Sequence, residues 1–342
     1  MVKVHIVYKF KETAWGGGNQ FLKALRDKFI EMCVYEDSPV NADIILFNSH
    51  HEFFNILKLR LKYPNKIFIH RIDGPVSAIR GTEEHIDAFI YKLNDIVADG
   101  TILQSLWSKK ENKKLGLNCD KNSKVIINAP NPNIFNKLGK SSFNKNSKTK
   151  IVATSWSPNK RKGFDIYLYL DKYLDFTKYE MTFIGNSPYE FENINISSPL
   201  PSGDLAKEIK KHDIFITASQ KDTCSNSLIE ALHCGLPAVV LNDGGHPEII
   251  GNFGEVFNSE DDVISQIQKV SSHYHKYANK INLPSIDSVS KQYLSFMNDL
   301  NNKYLNGSQK RKKVNLLLFL LLFMDSKKLV LVTKLKKILK YV

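Results

Sequence analysis

Two acidic residues eight positions apart, Asp222 and Glu230, lie in the stretch SQKDTCSNSLIEALHCGLP. The pattern predicts a strand that ends at Ala218 and a helix that begins near Cys224, so Asp222 falls in a loop and Glu230 points back from the helix toward the same cleft. The free N–H groups at a helix start bind phosphates and hydroxyls readily. Two acids with amides between them suit a sugar nucleotide, whereas the pair in isolation would equally be a helix cap and a solvated helix residue. The amides are those of Thr223, Cys224 and Ser225.

A run of cations precedes a glycine in SWSPNKRKGFD, at the predicted end of another strand. The run consists of Lys160, Arg161 and Lys162. A departing nucleoside diphosphate gains negative charge as its bond to a sugar breaks, and fixed cations beside it lower the barrier. A basic run before glycine is more often a solvated turn, but its place at a strand end favours a function.

Two further motifs lie in the first quarter of the chain. WGGGNQF places Gly16, Gly17 and Gly18 after the first strand, where glycines let a backbone approach a ligand. Phe21 stands at the third glycine position of a G-x-G-x-x-G fingerprint, which argues against a nicotinamide site and leaves a tight turn as the alternative. IHRIDGP ends a predicted strand with His70, and a lone histidine there is more often structural.

Short apolar runs alternate with helical stretches, which predicts an α/β chain with parallel sheets and helices on both faces. The Lys-, Asn- and Ser-rich stretch 136–150 is typical of a linker. After it, short apolar runs and helical stretches alternate again. We therefore expect two Rossmann-like domains that face each other across a cleft. The expected divisions are a first domain at 1–140, a second at 141–284, a closing amphipathic helix at 285–305 and a basic, apolar tail at 306–342.

The stretch around Asp222 and Glu230 resembles the E-x7-E element of family 4 retaining glycosyltransferases of the GT-B fold, the glycosyl transferases group 1. NDGGHPEIIG, with Gly244 and Gly245, is similar to the Gly-Gly and Pro-Glu loop of that family. NAPNPNIF, at 128–135, resembles the family's segment that connects the first domain to the second. The resemblance extends through most of residues 1 to about 305.

The resemblance implies a role for each acid and for one lysine. Glu230 would bind the ribose hydroxyls, Asp222 and Gly245 would hold the donor sugar, and Lys162 would hold the diphosphate. The glycine loop would reach the diphosphate and the acceptor. A histidine of the first domain lies near the transferred sugar in related enzymes, which implies His70, with His50 and His51 as competitors for an acceptor-side role.

Two positions depart from the family pattern. The first acid is Asp222 instead of the usual glutamate, one methylene shorter. The partner arginine of the family stands five positions before the lysine, where this chain has Ser157. Arg161 or Lys160 would then substitute for it.

These features predict a retaining, metal-independent transfer of a sugar from a nucleotide donor to a hydroxyl of a glycan, polysaccharide or lipid-linked sugar. No D-x-D motif is present, and the four cysteines lack zinc spacing, so no metal or cofactor is expected beside the substrate. A non-catalytic sugar-nucleotide or glycan-binding protein on the same fold is the alternative. The two Rossmann-like halves alone would also suit a dinucleotide-dependent oxidoreductase.

The formal charge of +13 is concentrated at the end of the chain. Ten of the 48 Lys and Arg residues but one of the 35 acids follow residue 305, so the body is nearly neutral and no nucleic-acid partner is expected. The apolar run Leu316–Met324 is too short to span a bilayer, which takes about 20 residues. The segment that follows alternates Lys with aliphatic residues, which suits an anionic membrane surface. A packed helix or a disordered tail is the alternative.

The opening MVKVHIVYKF predicts a strand, because a signal peptide needs a longer apolar centre. The cysteine pattern fits a reducing compartment. We expect a cytoplasmic protein that is peripheral on the membrane through residues 308–342.

Overall fold

The computed structural model describes residues 2–11, 17–81, 83–119 and 121–339. The chain divides into two compact units, each containing one parallel sheet. The predicted α/β class with two parallel sheets is confirmed. Unit 1 comprises the residues up to Lys9, Arg26–Ile127 and the chain from Ser290, whereas unit 2 comprises Phe10–Leu25 and Asn128–Val289.

Unit 1 holds a sheet whose described strands pair in sequence order, all in parallel. Strands covered by helices on both faces are mostly apolar, and three strands of this sheet are buried at every residue. The strands are β1 (Val4–Val7), β2 (Ile44–Asn48), β3 (Ile67–Ile72), β4 (Gly100–Leu103) and β5 (Ser123–Val125). The helices are α1 (Gly17–Glu31), which begins in unit 2, α2 (Phe53–Lys62), α3 (Val76–Arg80), α4 (Glu84–Val97) and α5 (Leu106–Lys114).

Unit 2 holds a second parallel sheet, in the order β11-β10-β9-β6-β7-β8 within the described residues. Its core is aliphatic and aromatic, with Phe164, Phe183 and Phe257 almost fully buried. The strands are β6 (Thr149–Ser155), β7 (Tyr179–Gly185), β8 (Asn195–Ser197), β9 (Ile214–Thr217), β10 (Ala238–Leu241) and β11 (Gly254–Phe257). The helices are α6 (Phe164–Tyr173), α7 (Ser202–Ile209), α8 (Asn226–His233), α9 (His246–Ile250), α10 (Glu260–Ser272) and α11 (Tyr274–Ala278).

The boundary between the units falls earlier than the expected division at residue 140. The NAPNPNIF stretch already packs with unit 2, since Ala129 and Phe135 are buried and Asn128 Nδ2 donates to Asn226 Oδ1 at 3.0 Å. The polar stretch that follows is largely exposed, which is what its composition predicts.

Two helices end the described chain, α12 (Ile286–Leu305) and α13 (Leu316–Leu339). The apolar run and the described part of the alternating segment, up to Leu339, form one continuous helix, α13. Its Leu322 is fully buried in the core of unit 1, and it packs against α2 and α4. A packed helix, the alternative named for the tail, is therefore what this part of the chain forms. No helix within the described residues is long and apolar enough to cross a membrane.

A buried ion pair joins several parts of unit 1. Asp99 Oδ2 accepts from Arg60 Nη1 at 3.0 Å and from the Phe68 amide at 2.9 Å. Its Oδ1 accepts from Arg60 Nη2 at 3.1 Å and from the Lys312 amide at 3.1 Å. Both charged side chains have no exposed surface. One carboxylate thus ties α2, β3 and the segment that enters α13 to the start of β4.

We predict that Asp99→Ala lowers the free energy of unfolding by about 3–5 kcal/mol, because Arg60 would stay buried without its counter-charge. Urea denaturation measures this loss. The matched control is Asp204→Ala, which breaks the exposed pair with Lys207 and should cost less than about 1 kcal/mol. Equal effects of the two variants would contradict the prediction.

Candidate active site

A cavity of about 370 Å³ opens in unit 2 where β6 and β7 end and the loop after β9 begins. Ligands of open α/β sheets bind at the carboxyl ends of the strands, because the loops there are free to converge. Among the described residues, the charged side chains that line it are Lys162, Asp222 and Glu230. The cavity therefore brings together the two acids and the lysine that the sequence singled out.

Lys162 is the last residue of a short 3-10 helix, and a glycine follows it directly. Gly163 has a φ of +77°, and a Cβ placed there would lie 2.2 Å from the carbonyl oxygen of Ala218. The Gln220 amide donates to the Arg161 carbonyl at 2.7 Å. The turn after β6 and the loop after β9 are therefore in backbone contact, and only glycine fits at their junction.

Asp222 faces the lysine across this junction. Lys162 Nζ lies 3.3 Å from Asp222 Oδ2, and their side chains are 32% and 20% exposed. Burial alone would raise the pKa of Asp222, but the Lys162 ammonium and, to a lesser degree, the neighbouring His246 lower it below its ordinary value. Asp222 is thus a carboxylate at neutral pH, and its charge is balanced by the lysine.

The loop after β10 holds Asp222 through its backbone. The Gly245 amide donates to the Asp222 carbonyl at 2.8 Å. Gly244 has a φ of +66°, and a Cβ there would lie 2.2 Å from the same oxygen. Neither glycine lines the cavity. Both glycines instead contact the backbone carbonyl of Asp222. The expectation for Gly245 was a direct contact with the sugar.

The first turn of α8 supplies the floor of the cavity. Ser225 caps the helix by accepting from the Leu228 amide. Cys224 and Ser225 line the cavity as expected, together with the next two residues, whereas Thr223 is buried outside it. The free amide end of the helix is therefore presented to a ligand, which is the arrangement that binds phosphate.

Glu230 lies at the start of the second turn of α8 and lines the cavity. Its carboxyl group is largely buried, and no donor or cation contacts it within the described residues. Burial raises the pKa of Glu230 to about 8. Asp222 and Glu230 therefore share one cavity in different protonation states at neutral pH.

Within its described part, the glycine loop contributes one glycine to the cavity lining. Gly17 lines it, and a Cβ there would lie 2.2 Å from Asn226 Nδ2. Gly18 is outside the lining, with open space beside it. Gly16 lies outside the described residues.

Two residues expected to be catalytic are placed elsewhere. The Arg161 side chain does not line the cavity, and the residue contributes through its carbonyl. His70 belongs to unit 1 and has no exposed surface, because its Nε2 bonds the Ser49 carbonyl at 2.9 Å and its ring stacks on Phe47. Burial lowers the pKa of His70 to about 3. His70 is a neutral residue in the core of unit 1, and its assignment to the transferred sugar stays a prediction.

Sequence reasoning missed one wall of the cavity. Trp156 is 48% exposed on it, and Ser157 follows where the arginine was sought. The loop between β8 and α7, which includes Pro199 and Leu200, also lines the cavity. The cluster SSPLPSG in this loop was the available signal, since prolines between a strand and a helix mark a fixed loop. The wall provides apolar and aromatic surface beside the charged residues.

Two parallel α/β units with a cavity at the strand ends define the GT-B class of fold. Sucrose-phosphate synthase from Thermosynechococcus elongatus superposes with a TM-score of 0.67 at 12% identity, over 88% of this chain and all of that one. The catalytic domain of starch synthase IV from Arabidopsis thaliana, bound to ADP and acarbose, gives 0.67 at 10% identity over 87% and 99%. HepE of Anabaena, in complex with UDP, gives 0.66 at 12% identity over 87% and 100%.

Residues 139–282 match the model of the family of glycosyl transferases group 1. The matched segment contains Lys162, Asp222 and Glu230, the charged residues of the described cavity lining. The chain is also 31% identical over 94 residues to sulfoquinovosyl transferase SQD2 of Arabidopsis thaliana. That alignment covers 24% of this chain and 18% of the relative, so the chain spans less than a fifth of the relative's length.

We predict that Gly163→Ala lowers the free energy of unfolding by about 1–3 kcal/mol, because both the left-handed φ and the contact with the Ala218 carbonyl exclude a side chain. Chemical denaturation measures the loss. Gly203→Ala is the control, since a Cβ at that helical glycine meets nothing within 4 Å and should leave stability equal or higher. A stable Gly163→Ala protein would show that the two loops are not in contact.

We predict that Glu230→Gln stabilises the free protein more at pH 9 than at pH 5. A carboxyl group whose pKa rises from 4.5 in the unfolded chain to about 8 in the fold keeps its proton, so stability falls as the pH rises through that window. The glutamine variant cannot ionise and escapes this loss. Thermal unfolding of both proteins across the window measures the difference, which is absent if Glu230 titrates normally.

Proposed function

We propose that this protein is a retaining glycosyltransferase that transfers a sugar from a nucleotide donor to an acceptor hydroxyl without an essential metal. The observation that carries the proposal is the convergence of Lys162, Asp222 and Glu230 on one cavity within the segment of the glycosyl transferases group 1 family. Solved structures of the same fold hold UDP or ADP, which supports a nucleotide as the donor's leaving group.

The diphosphate would bind between Lys162 and the amide end of α8. In the free cavity the lysine is paired with Asp222, so each charge satisfies the other. A diphosphate carries more negative charge than one carboxylate and draws the ammonium toward itself. Asp222 is then left to accept a hydrogen bond from a sugar hydroxyl. Donor binding thus exchanges one ion pair for two contacts with the substrate.

Bond cleavage would be assisted by the same groups. Charge develops on the diphosphate as the glycosidic bond breaks, and a fixed ammonium with helix amides stabilises that charge. No protein nucleophile is assigned, and the leaving diphosphate is the group we propose to accept the proton of the acceptor hydroxyl. Without Arg161 in the lining, Lys162 is the one lysine or arginine side chain within the described lining.

Glu230 would hold the ribose. Two adjacent hydroxyl groups donate well to one carboxylate, and such charge-assisted bonds are about twice as strong as neutral ones. The proton that burial leaves on Glu230 must be lost for this contact, so nucleotide binding would release a proton below pH 8.

The acceptor we propose is a glycan, a polysaccharide or a lipid-linked sugar, as in cell-envelope glycan synthesis at the cytoplasmic face of a membrane. Transfer to a membrane-bound acceptor is supported by the basic and apolar end of the chain.

A non-catalytic sugar-nucleotide-binding protein is the second candidate. The single lysine at the diphosphate position and the shorter acid at Asp222 favour it, since both reduce the groups available for catalysis. Turnover decides between the two functions, because a binder would hold UDP, GDP or ADP without hydrolysing or transferring any sugar from the corresponding donors.

We predict that Lys162→Met weakens nucleoside diphosphate binding roughly tenfold, the loss of one charge-assisted contact, whereas Asp222→Asn reduces transfer or donor hydrolysis with a smaller effect on binding. Isothermal titration with UDP, GDP and ADP, followed by product analysis with and without EDTA, gives both quantities. Asp204→Asn, in an exposed ion pair outside the cavity, is the control. Unchanged binding in Lys162→Met would refute the site, and loss of activity with EDTA would refute metal independence.

We predict that nucleotide affinity of the parent protein rises between pH 6.5 and 8.5, as Glu230 becomes easier to ionise. Glu230→Gln should bind more weakly at pH 8.5 and show a flatter profile. The titration is run at each pH with the diphosphate fully ionised at the upper end. A parallel rise in both proteins would assign the pH dependence to the ligand instead.

A further inference from the structure

One face of α13 is apolar and exposed, although the opposite face is packed. Phe319, Leu322 and Phe323 are turned toward α2 and α4, where Phe323 meets Phe54. The outward residues recur at helical spacing and are 45–66% exposed. They are Leu316, Leu317, Leu320, Leu321 and Met324. Five large apolar side chains on one surface form a patch that is unusual on a protein surface.

The patch is held rigidly on unit 1 by polar contacts at both of its ends. Before the helix, Lys312 Nζ donates to the carbonyl oxygens of Asn94 and Asp95, at 3.2 and 2.6 Å. Near the middle of the helix, Asp325 pairs with Lys92 of α4. The patch is therefore a fixed surface of the fold, and its exposure is not that of a loose tail.

Cations flank the patch at both ends. Lys310 and Lys313 are exposed before the helix, and Lys327 and Lys328 are exposed after the apolar run. A cavity of about 320 Å³ lies beside the entering segment, and its described lining includes three cations against one acid, Asp43. The cations are Lys62, Lys66 and Arg311, and the ring residue beside them is Tyr63. An occupant of this surface must therefore be apolar at its centre and anionic at its edges.

A second copy of the chain does not meet this requirement. Pairing two such faces about a two-fold axis would bring the same cations together at both ends, and like charges opposed across an interface oppose association. An anionic bilayer meets it, since acyl chains lie beneath a layer of phosphates. The apolar run covers about 14 Å along the axis at 1.5 Å per residue, so the helix would lie in the plane of the surface.

We propose that α13 docks this protein on an anionic membrane, with its outward leucines among the acyl chains and the flanking lysines and the Lys62–Arg311 cavity on lipid phosphates. This surface is separate from the donor cavity and independent of whether the proposed transfer occurs. It would place a glycosyltransferase beside lipid-linked substrates, which links it to the proposed function.

The test uses the full chain and vesicles of phosphatidylcholine, alone or mixed with phosphatidylglycerol. The parent protein should co-sediment with the anionic vesicles and far less with the neutral ones. Leu317→Glu combined with Leu321→Glu should reduce binding at least about tenfold, because two leucines that would lie among the acyl chains become charged. Leu138→Glu, at a leucine of unit 2 that is 81% exposed, is the matched control and should bind as the parent does.

The electrostatic part is tested with Lys310→Gln combined with Lys313→Gln, which should lower binding to anionic vesicles roughly tenfold, given the contribution of each cation near a charged surface. Lys207→Gln combined with Lys211→Gln, at exposed lysines of unit 2, is the control. Thermal unfolding with and without UDP shows that each variant is folded and reports donor binding separately.

Three results would overturn the proposal. They are vesicle binding unchanged in the double-leucine variant, equal binding of the parent to neutral and anionic vesicles, and a parent dimer in ultracentrifugation that the double-leucine variant abolishes. The last result would assign the face to a second copy. A failure of UDP to bind any of these proteins would count against the proposed function and leave the membrane surface standing.

Discussion

The candidate site depends on close backbone contacts between neighbouring loops, which only glycine residues permit. Gly163 admits the Ala218 carbonyl, Gly244 admits that of Asp222, and a Cβ at Gly185 would lie 1.9 Å from the Ser155 carbonyl. All three have positive φ, where glycine has no steric penalty. The strand ends and their loops can therefore converge closely enough for a lysine from one loop to pair with an acid from another. Adding a methyl group at these junctions would separate the groups that form the site.

The charge arrangement in the cavity follows from that convergence. Asp222 keeps its charge because an ammonium lies beside it, whereas Glu230, equally desolvated but without a cation, holds a proton to about pH 8. The two carboxyl groups would otherwise compete for the same role. Because of these different surroundings, Asp222 is already ionised in the free protein. Glu230 would become ionised only when a ligand binds.

Much of this could be predicted from the sequence, because apolar β-branched runs and helix starts are local signals. Most of the strands of both sheets and the helix start near Cys224 followed from such signals, and the shared cleft of Asp222 and Lys162 followed from family resemblance, whereas β8 and β11 were not predicted. The inward position of His70 did not follow, since burial at a strand end depends on what α4 packs against it, as Asn94 does. The cavity wall beside Trp156 was missed for the same reason, because loops that are far apart in the sequence form it.

The buried carboxylate of Asp99 also fixes the segment that leads into the last described helix. Its carboxylate accepts a hydrogen bond from the backbone of Lys312, and Leu322 a few turns later completes the core beside α2 and α4. The last helix is thus a structural layer of unit 1 rather than an appendage. A shortened chain would uncover apolar surface on α2 and α4, and its solubility and half-life in a cell would decline before any effect on chemistry could be seen.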